Sequence, residues 1–186
     1  MNESQINKLK IPILESNRLK LTPLSMVFAT EKYVNWMNDP EVIKYLMSGG
    51  NYTIDKLQKY IEEVEKRPQF FWAISVKETK EHVGNIKIDP IDPINLYGEY
   101  GIMIGDKSIW GKGIAYEASS KVISHCFEKL KLRKINLSVL SKNFLARKLY
   151  NSLGFEQEGY FKKHIFHNNQ FEDSIRMTLF NKNFKY

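Results

Sequence analysis

The stretch IGDKSIWGKGIAYEA, from Ile104 to Ala118, decides how the rest of the sequence is interpreted. It joins an apolar run to a helix-like run through a loop that holds Gly111 and Gly113 on either side of Lys112. The first N–H groups of a helix have no partner within the helix, and the helix dipole adds partial positive charge there. Phosphate groups bind at such helix starts, and glycine lets the backbone come close to them. The stretch therefore predicts an anion site between a strand and a helix.

Two common nucleotide-binding motifs do not match the spacing of these glycines. A P-loop has four residues between its glycines and a Ser or Thr after its lysine, whereas five residues separate Gly105 from Gly111 and Gly113 follows Lys112. A dinucleotide-binding fingerprint needs a third glycine at the position that Tyr116 occupies. A plain glycine turn into a helix remains the alternative to an anion site.

Positive charge is concentrated around this stretch. The chain of 186 residues has a net charge of +7, and the segment 107–148 contains ten basic and two acidic residues. The remainder of the chain is therefore close to neutral. Such a distribution favours an anionic ligand, and a solvated lysine-rich surface is the alternative interpretation.

Hydrophobic periodicity predicts one strand, then helices, then antiparallel strands, then a helix, a strand, a helix and two final strands. Three helices are expected before Pro68, one capped by Ser25, one started by Asp39 and Pro40, and one opened by Thr53. The predicted strands occupy 17–24, 69–76, 82–88, 96–106 and 134–140, with two more joined at Asn168 and Asn169, and a loop is predicted over 89–95. The order indicates an α/β fold of the α+β type, in which helices flank a single mixed, mostly antiparallel central sheet. The length favours a single domain over residues 1–186, with a core at about 17–180.

Composition argues against several classes of protein. No apolar run approaches the roughly 20 residues that cross a bilayer, and the N-terminal residues lack the hydrophobic region of an export signal. The single cysteine, Cys126, cannot form an internal disulfide, which suits a reducing compartment, so a cytoplasmic protein without membrane contact is expected. His164 and His167 face opposite sides of a predicted strand, and with no Cys/His cluster in the sequence no metal site is predicted.

Four motifs, in order, resemble the GCN5-related N-acetyltransferases (GNAT). They are IWGKGIAYEA, YGEYGIMIGD, NFLARKLYNSLGF and FHNNQFEDSIRM, and the resemblance extends from about Asn17 to Phe180. Gly113 and Ala115 take the glycine and small-residue positions of that family's acetyl-CoA loop, whereas Trp110 stands where Arg or Gln is usual. In this departure the sequence resembles the branch of the ribosomal-protein alanine N-acetyltransferases, in which the sequence WGKG recurs.

The resemblance implies acetyl-CoA as cosubstrate and a set of residues that hold it. The backbone N–H groups from Trp110 to Ala115 would hold the pyrophosphate, and main-chain groups of a strand that splays from its neighbour would hold the pantetheine arm. The coenzyme-binding residues so implied are Ile102, Met103, Ile104, Ile109, Trp110, Gly111, Lys112, Gly113, Ile114, Ala115 and Asn143.

The resemblance also implies a base and an acid. A primary ammonium has a pKa near about 10.4, so it needs a base, direct or through water, before it can attack a thioester at neutral pH. Glu99 matches the family's strand glutamate and Tyr150 its acid, and Asn143 shares a helix face with Tyr150 because seven residues make about two turns. The alternative for Glu99 is a solvent-facing side chain on a half-buried strand without a catalytic role. The alternative for Tyr150 is a side chain that only fills the core.

The amine that receives the acetyl group is less well specified. The resemblance implies that the helical region before Pro68 forms the acceptor wall, since such insertions flank the active face in this family. The candidates there, by location only, are Trp36, Asn38, Asp39 and Tyr52. A small-molecule amine such as an amino sugar is the expected acceptor, and a protein N-terminus is the alternative. A basic nucleic-acid-binding module without catalysis is the alternative from another class, although no helix-turn-helix or RNP-like pattern supports it. The final strands would allow a homodimer if they lie at a sheet edge.

Overall fold

The computed structural model describes residues 10–66 and 70–185. Within these residues one eight-stranded sheet has the order β1-β2-β3-β4-β5-β6-β8-β7. The strands are β1 (Leu14–Glu15), β2 (Leu19–Pro23), β3 (Phe70–Val76), β4 (His82–Asp92), β5 (Tyr97–Ile104), β6 (Lys134–Leu140), β7 (Glu156–His167) and β8 (Gln170–Phe180). The α-helices are α1 (Glu31–Asn38), α2 (Ile54–Lys66), α3 (Ile114–Glu128) and α4 (Phe144–Ser152), with short 3₁₀ turns at Met26–Phe28 and Lys107–Ile109.

Neighbouring strands run antiparallel except for β5 and β6, which are parallel. A parallel pair needs a crossover connection, and α3 supplies it between these two strands. The mixed, mostly antiparallel sheet flanked by helices is therefore confirmed.

Alternation of side chains along the strands gives the sheet two differently covered faces. Phe71 and Ala73 of β3 pack with α1 and α2, on what we call the α1 face. Trp72, Ile74 and Tyr100 pack with α3 and α4, on what we call the α3 face. Each face thus has its own apolar cluster, and the sheet separates the first helix pair from the second.

Several predicted elements are confirmed. Helix α2 starts after Thr53, whose hydroxyl accepts the Lys56 N–H at 3.2 Å. The two final strands meet at Asn168 and Asn169, which have positive φ of 50° and 60°. Asparagine tolerates this conformation better than most residues. Gln69 and Pro68, at the predicted start of β3 and the predicted end of α2, lie outside the described residues.

The first helix and the proline-containing segments differ from the prediction. Ser25 precedes only the short 3₁₀ turn, and α1 starts later, where the Thr30 hydroxyl accepts the Tyr33 N–H at 3.3 Å. No α-helix follows Asp39, although its carboxylate accepts the Glu41 N–H at 2.9 Å as a cap would and its carbonyl accepts the Ile43 N–H at 3.0 Å, because the chain leaves the helical path after this single turn. The same carboxylate also binds Lys107 at 2.7 Å. The loop predicted over 89–95 is strand up to Asp92, with a register shift between Ile88 and Ile91.

Candidate active site

The central feature of the site is a fork between β5 and β6. Their parallel pairing covers only Tyr97–Glu99 against Lys134–Asn136. Beyond this point β5 continues along β4 as far as Ile104, and β6 continues along β8 as far as Leu140. The strands therefore part after Glu99, and main-chain groups of 102–104 that point away from β4 face the gap. Side chains of Ile102 and Ile104 pack on the α3 face at the same time.

A glycine loop follows β5 where the fork is open. Gly111 has φ of 76°, and Gly113, the N-cap of α3, has φ of 76° and ψ of 8°. Residues with a Cβ are strained in this left-handed region, so both positions need glycine. A Cβ at Gly111 would meet no atom within 4 Å, which leaves open space in front of the backbone there.

Four of the six predicted loop amides are available for an anion. Within the described residues, no acceptor is found for the N–H groups of Gly111, Gly113, Ile114 and Ala115. The other two donate inside the loop, Trp110 N–H to the Lys107 carbonyl and Lys112 N–H to the Ile109 carbonyl, each at 3.2 Å. The anion site therefore comprises fewer amides than the sequence predicts, and they cluster at the start of α3.

Trp110 has a second contact that the sequence did not reveal. Its indole Nε1–H donates to the Ile104 carbonyl at 2.9 Å, although the side chain is 42% exposed. This bond ties the loop to the end of β5. It also occupies one of the main-chain oxygens that was predicted to face the coenzyme.

Arg18, at the start of β2, holds the loop and the first turn of α3 together. Its Nε donates to Glu117 Oε2 at 2.7 Å, its backbone N–H donates to Glu117 Oε1 at 2.7 Å, and its Nη1 donates to the Lys112 carbonyl at 2.9 Å. The Ser16 hydroxyl also donates to Glu117. Burial opposes ionisation of Glu117, but these hydrogen bonds and the guanidinium charge lower its pKa overall. The only signal for this contact in the sequence is an acidic residue within a strongly basic segment.

Glu99 is paired with an arginine. Arg176 of β8 donates from Nη1 to Glu99 Oε2 at 2.8 Å and from Nη2 to Glu99 Oε1, and both side chains are about one-quarter exposed. Because Tyr100 lies on the α3 face, its neighbour Glu99 points to the α1 face. The carboxylate thus lies at the last residue pair before the strands part, on the side covered by α1 and α2.

Tyr150 of α4 lies on the other side of the sheet. Its ring packs edge-on against Tyr100 at 5.8 Å and against Phe155 at 6.0 Å, within the cluster of the α3 face. Burial raises the pKa of Tyr150 to about 12. The phenol therefore stays protonated at neutral pH and is able to donate a proton. The predicted base and the predicted acid lie on opposite faces of the sheet.

Asn143 is the N-cap of α4, and its Oδ1 accepts the Ala146 N–H at 3.2 Å. Its Nδ2 has no acceptor among the described residues, so this group remains available to a ligand. Of the remaining predicted coenzyme contacts, Ile109 and Ile114 pack in the cluster of the α3 face, and Met103 packs against that of the α1 face.

The predicted acceptor residues are largely engaged in contacts within the protein. Trp36 is buried in an aromatic group with Tyr33 and His82. The Asn38 side chain donates to the Tyr52 carbonyl at 2.9 Å and accepts the Tyr52 N–H at 2.8 Å. Asp39 is bound by Lys107 at 2.7 Å. Tyr52 is half-buried, with the Lys56 ammonium 4.5 Å from its ring centroid, and burial raises its pKa.

Two further findings concern the part of the chain that the structure describes. It contains no group of three or more His, Cys, Asp or Glu side chains arranged to hold a metal ion. None of its helices is both long and apolar enough to cross a membrane.

Comparison with known proteins identifies the class to which this fork and loop belong. The family described as Acetyltransferase (GNAT) domain matches residues 18–156. An uncharacterized N-acetyltransferase, p20, from Bacillus licheniformis is 34% identical over 151 residues, covering 78% of this chain and 83% of the relative. Spermidine N(1)-acetyltransferase from Escherichia coli K12 is 32% identical over 100 residues, covering 54% of this chain and 53% of the relative.

The fold is also similar to that of a solved enzyme. The crystal structure of spermidine N-acetyltransferase from Vibrio cholerae in complex with CoA and spermine has a TM-score of 0.81 at 24% identity, covering 91% of this chain and 99% of that one. The family match and the curated relatives define an acyltransferase. The chain belongs to the GNAT family of N-acetyltransferases.

Proposed function

We propose that this enzyme, a single catalytic domain over residues 1–186, transfers the acetyl group of acetyl-CoA to the primary amine of a small molecule. The observation that carries the proposal is the position of Glu99 and Tyr150 on opposite faces of the sheet at a fork between two strands. A ligand that enters the fork would meet a carboxylate on one side and a phenol on the other. Acyl transfer to an amine needs a base for the amine and an acid for the leaving sulfur, which is what these groups offer.

The residues at the fork fit the cosubstrate. The free N–H groups of Gly111, Gly113, Ile114 and Ala115 would hold a diphosphate, with the helix dipole of α3 adding favourable charge. Main-chain groups of 102–104 would hold the pantetheine arm as a further strand, and Asn143 Nδ2 would donate to it. When bound, acetyl-CoA supplies an activated acetyl thioester, and the protein supplies position and electrostatics.

Glu99 would take the proton that the acceptor ammonium must lose, directly or through one water. Tyr150 would give a proton to the sulfur as the carbon–sulfur bond breaks. The nitrogen loses two protons in all, one to Glu99 before attack and a second from the tetrahedral intermediate. The second proton would return to the Tyr150 phenolate through water, and Glu99 would pass the first to solvent, so that the net products are the amide, free CoA and one proton. A thiol pKa near about 8.5 already makes the thiolate a fair leaving group, so the acid needs to contribute only modestly.

The acceptor would approach from the α1 face, because Glu99 points there. A small-molecule amine such as an amino sugar is the proposed acceptor class, and the relative that acts on spermidine supports a small amine. Asp39, Glu41 and Lys107 form an ion-pair group between the α1–α2 segment and the coenzyme loop. These two acids are therefore already neutralised in part, which favours acceptors with few positive charges over long polycations.

The test is release of free thiol from acetyl-CoA in the presence of a panel of amines. The panel would contain amino sugars, nucleotide-linked amino sugars, aminoglycosides, spermidine and peptides with free N-termini, and mass spectrometry would locate the acetyl group on the product. Amine-dependent release with an amino sugar or another small amine is the expected result. Thiol release with N-terminal peptides alone would show that the acceptor is a protein N-terminus and not a small molecule. Binding of CoA without thiol release for any amine would overturn the proposal that the protein is a catalyst.

A further inference from the structure

The Glu99–Arg176 ion pair spans the point at which the fork opens. Glu99 is the last residue of β5 that pairs with β6, opposite Asn136. Arg176 lies on β8, on the far side of β6, and its register partner there is Ser138. The guanidinium therefore reaches across β6 to the Glu99 carboxylate, and its Nη1 also donates to Ser138 Oγ at 3.3 Å on the way.

The sheet does not depend on this ion pair for its pairing at the fork. Backbone pairing between β6 and β8 runs without interruption from Lys134–Phe180 to Leu140–Ser174. Strand β5 is paired with β4 on its other side from Tyr97 to Ile104, with a register step between Gly98 and Tyr100. Since both strands are already held by their backbones, the position of the arginine calls for a role beyond joining them.

A two-pronged contact fixes the direction of the carboxylate. A carboxylate has about four lone-pair sites, and the guanidinium occupies one on each oxygen. Two sites are left, one on each oxygen, for a water or an ammonium group. The planar guanidinium also prevents rotation of the carboxylate, which a single-point contact from a lysine would allow.

Two other cations near the fork are paired with acids of their own, although the charge of Arg176 also acts on one of these acids, Glu158. On β4, Lys87 Nζ lies 3.7 Å from Asp89 Oδ2. This pair lies beside the register shift between Ile88 and Ile91, which is opposite Glu99. On β6, Lys134 binds Glu158 of β7 at 2.9 Å. Within the described residues, Arg176 is the cation that forms a salt bridge with Glu99.

We propose that Arg176 is a positioning residue for acetyl transfer, which acts by holding the Glu99 carboxylate at the mouth of the fork. This proposal rests on the proposed function and adds a residue to its mechanism. Misplacement of a reacting group by about 1 Å can cost roughly 10²-fold in rate, so loss of the guanidinium should lower kcat by about 10- to 10²-fold. The KM for acetyl-CoA should stay within about two-fold, because the loop amides and 102–104 are untouched.

A double-mutant cycle tests this role, with kcat and both KM values measured for an amine that the panel has identified. Arg176→Gln should lower kcat in the wild-type background and have no further effect in the Glu99→Gln background, because the arginine acts only through that carboxylate. Arg176→Lys should recover part of the loss, since the charge is kept and the two-pronged geometry is not. Lys77→Gln, which removes a surface pair with Glu15 at the opposite edge of the sheet, is the matched control and should keep full activity.

The outcomes separate this proposal from the proposed function. If the wild type releases thiol and Arg176→Gln costs the same factor in both backgrounds, Arg176 does not act through Glu99 and the proposal is wrong. Full kcat in Glu99→Gln would also overturn it, while acetyl transfer would stand. No release by the wild type with any amine would overturn both. Thermal unfolding of each variant would show whether a loss of rate comes from loss of the folded state.

Discussion

Tyr150 packs edge-on against Tyr100, with ring centroids 5.8 Å apart and an angle of 84° between the ring planes. The Tyr100 hydroxyl lies 2.6 Å from Ser119 Oγ, which donates to the Ala115 carbonyl at 2.6 Å. The proposed acid is thus in contact with a side chain that is anchored to the first turn of α3. The same turn carries the amides proposed for the pyrophosphate, so the acid and the anion site are held in a fixed relation.

Tyr150→Phe should lower kcat by about 10- to 10²-fold, which is at or below the lower end of the range of roughly 10²–10⁴ for general acid–base catalysis, because only modest acid help is needed. The phenyl ring keeps the packing against Tyr100 and Phe155, so CoA affinity and the melting temperature should change little. Steady-state kinetics and calorimetric titration with CoA would measure the two effects separately. Wild-type turnover with intact CoA binding would remove Tyr150 from the acid role.

The raised pKa of Tyr150 makes a prediction about pH. Burial lifts it to about 12, so the phenol is still protonated at pH 10 and activity should not fall on its account between pH 8 and 10. The rate at low amine concentration should instead rise over this range, because more of the acceptor is deprotonated. A pH–rate profile of the wild type checks this. A decline with a midpoint near pH 9 that disappears in Tyr150→Phe would contradict the assignment.

Glu117→Gln should weaken CoA binding by about three- to ten-fold and lower the free energy of unfolding by about 1–2 kcal/mol. The amide loses the charge that Arg18 binds, and Arg18 also holds the Lys112 carbonyl of the loop. The Arg18 side chain is 45% exposed, and screening by solvent keeps the expected stability loss small. The measurements are CoA titration and urea unfolding, with Glu78→Gln in the exposed turn after β3 as the matched control.

The pH dependence of this contact follows from the lowered pKa of Glu117. A carboxyl whose folded pKa lies below its unfolded value stabilises the fold above the unfolded value, near about 4.3. The contribution is lost as the pH falls through the lowered folded pKa. Glu117→Gln should therefore differ from the wild type in stability at pH 7 and approach it at strongly acid pH. An equal difference at both pH values would contradict the ion-pair explanation.

Periodicity in the sequence predicted the elements that depend on local pattern. Helix α2 starts after Thr53 and α4 after Asn143 as predicted, because their caps and apolar stripes lie within a few residues of each other. At Asp39 the cap expected from the sequence forms, with the Glu41 N–H on its carboxylate and the Ile43 N–H on its carbonyl, but it starts only a single turn. Lys107, from a distant part of the chain, binds the same carboxylate, and a local pattern cannot report such a contact.

The same limit applies to the site. The loop glycines were found from sequence because positive φ and close approach require glycine, while Glu99 and Tyr150 were assigned through resemblance to a family. Arg18 and Arg176 were missed, since their carboxylate partners lie 99 and 77 residues away in the sequence. The register of β8 on β6 brings Arg176 to Glu99, and the packing of α3 beside β2 brings Glu117 to Arg18. Neither arrangement is specified by a pattern local to one element.

Gly105→Ala should disrupt the junction between β5 and α1. A Cβ at Gly105 would come within 2.0 Å of Trp36 Cδ2, and Trp36 is buried, so the indole would have to move. Overpacking of this kind costs about 1–3 kcal/mol. At Gly101 the nearest atoms to an added Cβ are 3.5 Å away on the Lys87 side chain, so Gly101→Ala is the matched control for stability. Urea unfolding should separate the two variants, and equal losses would mean that Trp36 relaxes without cost.

His82 should make the stability of the protein depend on pH below neutrality. Its ring is packed between Phe28 and Trp36, with centroids 4.9 Å away in each case, and its Nε2 lies 3.0 Å from the Gly84 carbonyl and 3.1 Å from Asn85 Oδ1. Both neighbours of Nε2 are acceptors, which favours the neutral tautomer with hydrogen on that nitrogen. Burial lowers the pKa of His82 to about 4.

Because the unfolded chain binds a proton at His82 near the ordinary pKa of about 6.5 and the folded chain does so only near 4, the free energy of unfolding should fall as the pH drops between these values. Since a shift of one pKa unit corresponds to about 1.4 kcal/mol, the full difference in the free energy of unfolding is at most about 3.5 kcal/mol. Urea unfolding at pH 7 and pH 4.5 would measure it in the wild type and in His82→Gln. The variant should be less stable at pH 7, since the packing is lost, but its loss of stability between the two pH values should be smaller by about 2–3 kcal/mol. The same pH dependence in both proteins would show that the imidazole is protonated inside the aromatic group without cost, and would contradict the burial that the structure gives it.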